Sequence, residues 1–409
     1  MTTNADMMAR LQTVECRDAT YRPVSHPLVM ERGQGSLVWD VEGREYIDLC
    51  AGFGVMALGH SHDVTRRIDA PLIHGMGDVY PSRAKVELLE ALTRALPAPL
   101  SIATLALSGS QAVEAAVKTA LLKTKRSGFI VFDGSYHGVD LGILALTSRE
   151  DFKAPFKRWI ADGNVQSVPF GADATTLAAA VAALKHAGHE LAAVLVEPVQ
   201  GRAGVRPAPA GWLATLRRFC DDQGALLIYD EVFTGMGRTG KLTHAADVPC
   251  DLLCLGKAMG GGMPISACVG TKSVMDAWPE CHSEALHTGT FFGHPLSCTY
   301  AAATLAEILA ADLPRRATRV GDQWQQDLRT ALRGVSSVKE VRGVGLMLAI
   351  EFKEAGAGAK AMDLLRERGV IALASSSKGE SLSLTPALNI PEALLADATQ
   401  RLVAVAKLV

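Results

Sequence analysis

Ala225-Leu226-Leu227-Ile228-Tyr229 runs into Asp230, and Leu252-Leu253-Cys254-Leu255-Gly256 runs into Lys257. Each stretch is a short apolar run closed by one charged residue. Strands buried on both faces of a parallel sheet read this way, and open α/β sheets carry their ligand-binding groups at the carboxyl ends of such strands. The two runs therefore place an acid and an amine at neighbouring strand ends. One reading of the pair is a structural ion pair at the sheet rim. The other is a site whose chemistry needs both groups.

Outward from this pair the pattern repeats. From about residue 83 to 300, amphipathic helical stretches alternate with apolar runs at Ile130-Val131-Phe132, Ala193-Val194-Leu195-Val196 and Ile265 to Val269. Such alternation predicts an α/β fold with a largely parallel sheet covered by helices on both faces. The first 50 residues hold polar, proline-containing sequence and then two short strands, Ser36-Leu37-Val38-Trp39 and Glu45-Tyr46-Ile47, joined as a hairpin through Glu42-Gly43. After about 300, helical stretches from Ala301 to Ala311 and from Arg319 to Arg333 precede short strands and a closing helix, Pro391 to Leu408. The expected division is a large domain over 51–300 and a smaller α+β domain over 301–409, completed by residues 1–50.

The chain has 409 residues, 48% of them hydrophobic, enough to bury a large core. Its net charge of −2 and the absence of any basic or acidic block argue against nucleic acid or an anionic membrane as partner and for a small ligand. Eight cysteines occur without a C-x-x-C pair, and Met1-Thr2-Thr3-Asn4-Ala5-Asp6 lacks a basic region followed by an apolar one, so a reducing cytoplasm fits best. No apolar run approaches the roughly 20 residues that a membrane helix needs.

An acid and an amine at adjacent strand ends suit pyridoxal phosphate (PLP). The lysine forms a Schiff base with the aldehyde, and the carboxylate keeps the pyridine nitrogen protonated so that the ring accepts electrons from a carbanion. Three further stretches could serve it. Leu107-Ser108-Gly109-Ser110-Gln111 ends a strand and opens a helical run, Ala112 to Lys123; Ser108 and Gln111 have capping-box spacing, and Gly109 lets the backbone approach an anion at the positive helix end. Most capped helices bind nothing, so this signal is weak by itself. Tyr136-His137-Gly138 follows another strand, where an aromatic ring either stacks on a flat cofactor or packs at the rim. Glu197-Pro198-Val199-Gln200-Gly201 adds a carboxylate and an amide at a third strand end. Convergence on one sheet edge carries more weight than any single stretch. His60-Ser61-His62 lacks the further ligands of a metal site, and none is expected.

Two nucleotide motifs fail on context. Gly235-Met236-Gly237-Arg238-Thr239-Gly240 spells G-x-G-x-x-G and would make the chain an NAD-type oxidoreductase, but no helix opens inside it and the next strand ends in Lys257 instead of a ribose-binding acid. Gly256-Lys257 hints at a P-loop, yet Asp251 and Ala258 stand where a glycine and a hydroxyl are needed.

Taken together, these residues resemble the class III (omega-type) aminotransferases of PLP fold type I over nearly the whole chain. The resemblance rests on Leu227 to Gly235 with Arg238-Thr239-Gly240, on Leu255-Gly256-Lys257-Ala258-Met259-Gly260-Gly261-Gly262, and on the spacing of Asp230 and Lys257. Trp39-Asp40 with Gly43-Arg44-Glu45-Tyr46-Ile47-Asp48, Leu58-Gly59-His60-Ser61-His62, and Arg342-Gly343-Val344-Gly345-Leu346 add to it. It implies a mostly parallel seven-stranded sheet in the large domain and a homodimer with shared active sites. It implies Lys257 as the Schiff-base lysine, Asp230 on the pyridine nitrogen, and Val232 and Tyr136 on the two faces of the ring, beside His137. Gly109 and Ser110, with Ser108, would hold the phosphate, joined by Thr290 from the second subunit. Glu197 is expected near the ring hydroxyl and the substrate, with Phe53 as a further substrate contact. The activity implied is ping-pong transfer of an amino group from an amine or omega-amino donor to a keto acid or aldehyde.

The pattern breaks at one place. Many members that bind amino acid carboxylates carry an arginine three residues before a Pro-Pro-Leu; here the stretch reads Leu382-Ser383-Leu384-Thr385-Pro386-Ala387-Leu388, with Ser383 in that position. A serine cannot form a bidentate, charge-assisted clamp. Either the donor has no nearby carboxylate or another cation supplies the contact, and Arg202 is the candidate, although a surface arginine is the ordinary reading. Racemases and phospho-lyases on the same scaffold use the same lysine and aspartate, so the scaffold leaves them as alternatives.

Overall fold

The computed structural model describes residues 3–16, 19–20, 27–68, 77, 80–282 and 284–409. Its centre is a seven-stranded sheet in the spatial order Leu100–Ala106, Ser266–Thr271, Leu252–Leu255, Leu226–Asp230, Leu191–Val196, Gly128–Phe132 and Val165–Val168. Only Ser266–Thr271 runs against its neighbours, so the other six strands share one direction. The expected α/β architecture with a mostly parallel sheet is the one observed.

Every residue of Leu191–Val196, Leu226–Asp230 and Leu252–Leu255 is buried, which explains their unbroken apolar sequence. Successive side chains point to opposite faces of a strand. Leu227, Tyr229, Leu253 and Leu255 join the core formed with helices Ala174–His186 and Trp212–Gln223, whereas Leu226, Ile228, Leu252 and Cys254 join the core under helix Gly109–Thr124. That helix meets the sheet through Ala112, Ala115, Ala116 and Ala120, all fully buried; alanine favours the helix and lets its backbone lie close.

A second, antiparallel sheet is built from Val338–Val344, Met347–Phe352, Ser381–Leu384 and Leu373–Ser375. The early hairpin forms between Leu37–Asp40 and Glu45–Asp48 with Gly43 at a φ of 80°, a left-handed turn position that glycine adopts without strain. Its second strand pairs in parallel with Val370–Ile371, which ties the beginning of the chain to its end. No single helix among the described residues is long and apolar enough to cross a membrane.

The Gly235 to Gly240 stretch forms consecutive turns and opens no helix. It serves as a tie between the two sheets. Arg238, fully buried, donates to the carbonyls of Leu346 and Pro386, and the Leu346 N–H donates back to the Arg238 carbonyl at 3.1 Å.

Candidate active site

Five of the six co-directional strands end in a polar group at the same edge of the large sheet. Leu100–Ala106 leads to Ser108, Gly109 and Ser110; Gly128–Phe132 to Tyr136 and His137; Leu191–Val196 to Glu197; Leu226–Asp230 ends on Asp230 itself; Leu252–Leu255 leads through Gly256 to Lys257. Except for Ser108, all of these side chains line one cavity of about 210 Å³, together with Val232. Arg202, Gly138, Val139 and Phe233 complete the wall; the last three were not among the expected site residues, although Gly138 and Phe233 directly follow His137 and Val232, which were.

Asp230 is buried and braced. Its Oδ2 accepts from His137 Nδ1 at 2.8 Å, and its Oδ1 accepts from the Val232 N–H at 3.1 Å. The pairing puts the imidazole proton on Nδ1. His137 is itself fixed by its N–H donating to Thr147 Oγ1 at 3.0 Å, and its Nε2 is buried without a partner. Glu197 accepts from two backbone donors, the Tyr136 N–H at 2.8 Å and the Gly201 N–H at 3.0 Å. Burial pushes the Glu197 carboxyl up, against the opposing pull of His137.

Lys257 has a φ of 46°, rare for a residue with a side chain, and follows the fully extended Gly256. Strain of this kind persists where the surrounding structure enforces it, commonly at active sites. Its Nζ lies 4.0 Å from the centroid of Phe233 and, among the described residues, has no hydrogen bond or ion pair. Burial lowers its pKa from 10.5 to about 8, although Asp230 and Glu197 pull the other way. Phe233 is held by close backbone: a Cβ on Gly201 would lie 2.5 Å from its Cδ1, and one on Gly54 2.8 Å from its Cε2.

These donors fit PLP. Among the described residues, an amine without a hydrogen bond or ion pair would be available to the aldehyde, and the braced carboxylate in the same cavity would suit a ring nitrogen. The N-terminus of helix Gly109–Thr124 opens at Gly109 and Ser110, where backbone N–H groups favour a phosphate. Ser108 and Gln111 form the expected capping box, each side chain accepting from the other's backbone N–H at 3.3 Å.

Other residues fall elsewhere. Ser108 and Thr290 are exposed and outside the cavity wall. Phe53 is 48% exposed and also outside it, although the adjoining Gly54 abuts Phe233. Ser383 is buried in the second sheet, its Oγ donating to Ser375 Oγ at 2.6 Å. Arg202, for which a surface position was the ordinary expectation, lines the cavity with its guanidinium 5.4 Å from the Tyr136 ring centroid. His60 Nε2 is 2.8 Å from Asp48 Oδ2, a structural pairing.

The family model for class III aminotransferases matches residues 20–406. The chain belongs to the class III aminotransferases. An acetylornithine aminotransferase of Methanopyrus kandleri is 38% identical over 331 residues, covering 80% of this chain and 81% of that protein. The ornithine aminotransferase of Toxoplasma gondii, whose structure is described with partial occupancy of PLP at the active site, matches with a TM-score of 0.86 at 28% identity over 100% of this chain and 96% of that one. The acetylornithine aminotransferase of Elizabethkingia anophelis matches with a TM-score of 0.81 at 27% identity over 99% of both chains. The class III aminotransferases use PLP, and amino-group transfer is the activity of this chain. The racemase, phospho-lyase and oxidoreductase readings are not favoured.

Proposed function

We propose that this class III aminotransferase moves an amino group from an amine or omega-amino donor to a keto acid or aldehyde acceptor, with Lys257 as the covalent anchor and Asp230 as the partner of the ring nitrogen. The observation that carries the residue assignment is the unpartnered Lys257 Nζ in a cavity shared with the braced Asp230 carboxylate. The names of the relatives, ornithine and acetylornithine aminotransferase, support a donor that reacts through a terminal amine.

When bound, PLP supplies an electrophilic carbonyl and a ring that takes up electron density from the reacting carbon. The protein does the rest. Lys257 Nζ, its pKa lowered by burial, accepts the proton from the amine-bearing carbon of the donor and delivers one to the keto carbon of the acceptor in the second half-reaction. Asp230, held by His137, would pair its fixed negative charge with the ring nitrogen. Gly109 and Ser110 would hold the phosphate, with Ser108 capping the helix behind them. Val232 and Tyr136 would cover the ring, and Glu197 would orient its hydroxyl. Phe53 and Arg202 flank the substrate.

The wider organisation belongs to the same proposal. Residues 51–300 form the large domain and 301–409 the small one, completed by the N-terminal segment; the pairing of Glu45–Asp48 with Val370–Ile371 supports this. Two chains form a homodimer in which Thr290 completes the partner's phosphate site, supported by the exposed Leu286 and Phe291 beside it. A cytoplasmic location is supported by eight scattered cysteines that form no C-x-x-C pair.

A panel of amine donors tests the function. A true donor converts the bound aldehyde to the pyridoxamine form, with loss of its visible absorbance, and pyruvate restores it. If no donor does so, the transamination reading fails.

A further inference from the structure

Arg202 stands at the tip of a two-stranded hairpin in which Val199–Gln200 pairs with Arg206–Pro207. Gly204 and Val205 take left-handed φ values of 88° and 52°, so the chain reverses tightly after the arginine. The loop is pinned on three sides. The Gly201 N–H donates to Glu197 Oε2 at 3.0 Å, the Ser376 N–H donates to the Arg202 carbonyl at 2.8 Å, and Arg342 Nε donates to the carbonyls of Gly204 and Val205 at 2.8 and 3.1 Å. The backbone beneath the guanidinium is thus set before any substrate arrives.

The guanidinium reaches the cavity that holds Lys257, on the side of Tyr136. Its Nε is buried without a hydrogen-bond partner, and among the described residues it has no ion pair. A desolvated cation without an anion is unfavourable, and burial accordingly lowers its pKa. A carboxylate that enters the cavity would satisfy it through parallel N–H···O bonds.

Among the described residues around the cavity, no other cation is placed to take that part. Lys257 is committed to the cofactor under the proposed function. Arg149, in the adjoining cavity of about 480 Å³, is already engaged by Asp151, with Nε 2.7 Å from Oδ1. Val139 is uncharged, and Ser383 is buried on Ser375 away from the cavity.

We infer that Arg202 is the specificity-determining residue of this aminotransferase: it binds the substrate carboxylate in both half-reactions, so donor and acceptor are an amino acid and an oxo acid and not a simple amine and an aldehyde. This rests on the transamination reading and narrows it. Because one guanidinium serves both half-reactions, the two substrates present their carboxylates to the same place.

The test uses the PLP-loaded enzyme with ornithine, N-acetylornithine, alanine and 4-aminobutyrate as donors, each compared with its own carboxamide. For every donor that bleaches the cofactor, the wild-type enzyme should prefer the acid in kcat/KM by about 10- to 100-fold, the range expected for a charged hydrogen bond, with most of the difference in KM. Arg202→Gln should bring the ratio of acid to carboxamide close to one, and Arg202→Lys should retain part of it. A wild-type enzyme that treats acids and carboxamides alike, or an Arg202→Gln enzyme that keeps the preference, would overturn the inference. If the glutamine variant fails to hold the cofactor, the wild-type ratio and the lysine variant decide. Bleaching without discrimination sinks this inference alone, whereas no bleaching by any donor sinks the transamination reading with it.

Discussion

His137 Nδ1 lies 2.8 Å from Asp230 Oδ2, and both side chains are buried although the residues are 93 positions apart in sequence. The imidazole orients the carboxylate, while the Val232 N–H holds its other oxygen. A fixed charge aimed at one point in a water-poor cavity is worth far more than the same charge on a mobile side chain.

Replacing that charge should therefore be expensive for catalysis and mild for the fold. Asp230→Asn keeps the shape and removes the anion; kcat should fall by about 10²- to 10³-fold, as for loss of other preorganised electrostatic groups. His137→Ala leaves the charge and loosens it, and the loss should be nearer tenfold, about one hydrogen bond's worth. Steady-state kinetics on cofactor-saturated enzyme check both, and a larger loss for His137→Ala than for Asp230→Asn would contradict the assigned roles.

Only a neutral amine attacks an aldehyde. With the Lys257 pKa lowered from 10.5 to about 8, capture of added PLP by the apoenzyme should speed up with pH through a midpoint of about 8 and then level off. A midpoint at the ordinary lysine value would contradict this. The stability of the apoenzyme carries the same signature. Between about 8 and 10.5 the unfolded chain binds a proton that the folded chain has released, so stability rises with pH across that window. Lys257→Met should remove that rise, measured as Tm against pH.

Gly109 is required by packing where the helix N-terminus meets the cavity. A Cβ there would lie 2.6 Å from Val232 Cγ1, so one of the two must move. Gly109→Ala should destabilise the protein by about 1–3 kcal/mol, the usual range for overpacking, and raise the Kd for PLP. Adding Val232→Ala makes room and should recover part of the lost stability, a coupling that a thermal-melt double-mutant cycle measures.

Much of the fold was legible because its central strands are buried on both faces, which leaves no polar residue to interrupt Leu226 to Tyr229 or Leu252 to Leu255. The cap of helix Gly109–Thr124 was equally readable, since Ser108 and Gln111 act over three residues. Val165–Val168 was missed: it is a four-residue edge strand with Gln166 and Ser167 at its centre, and its sequence carries too little apolar signal. At the site, sequence named the residues at the strand ends, because strand ends are marked by local composition. It could not show that His137 braces Asp230, a pairing created by two different strands. Nor could it place Arg202, since a hairpin tip is ordinarily solvated, and contacts from Arg342 in the distant second sheet and from Ser376 just beyond one of its strands help to hold this one over the cavity.

The most direct test of the assignment is borohydride reduction of the PLP-loaded enzyme followed by peptide mapping. The cofactor should become fixed on the peptide that carries Lys257, and Lys257→Ala should keep a folded protein with no such fixation. Fixation on a different lysine, or turnover retained by Lys257→Ala, would contradict the account.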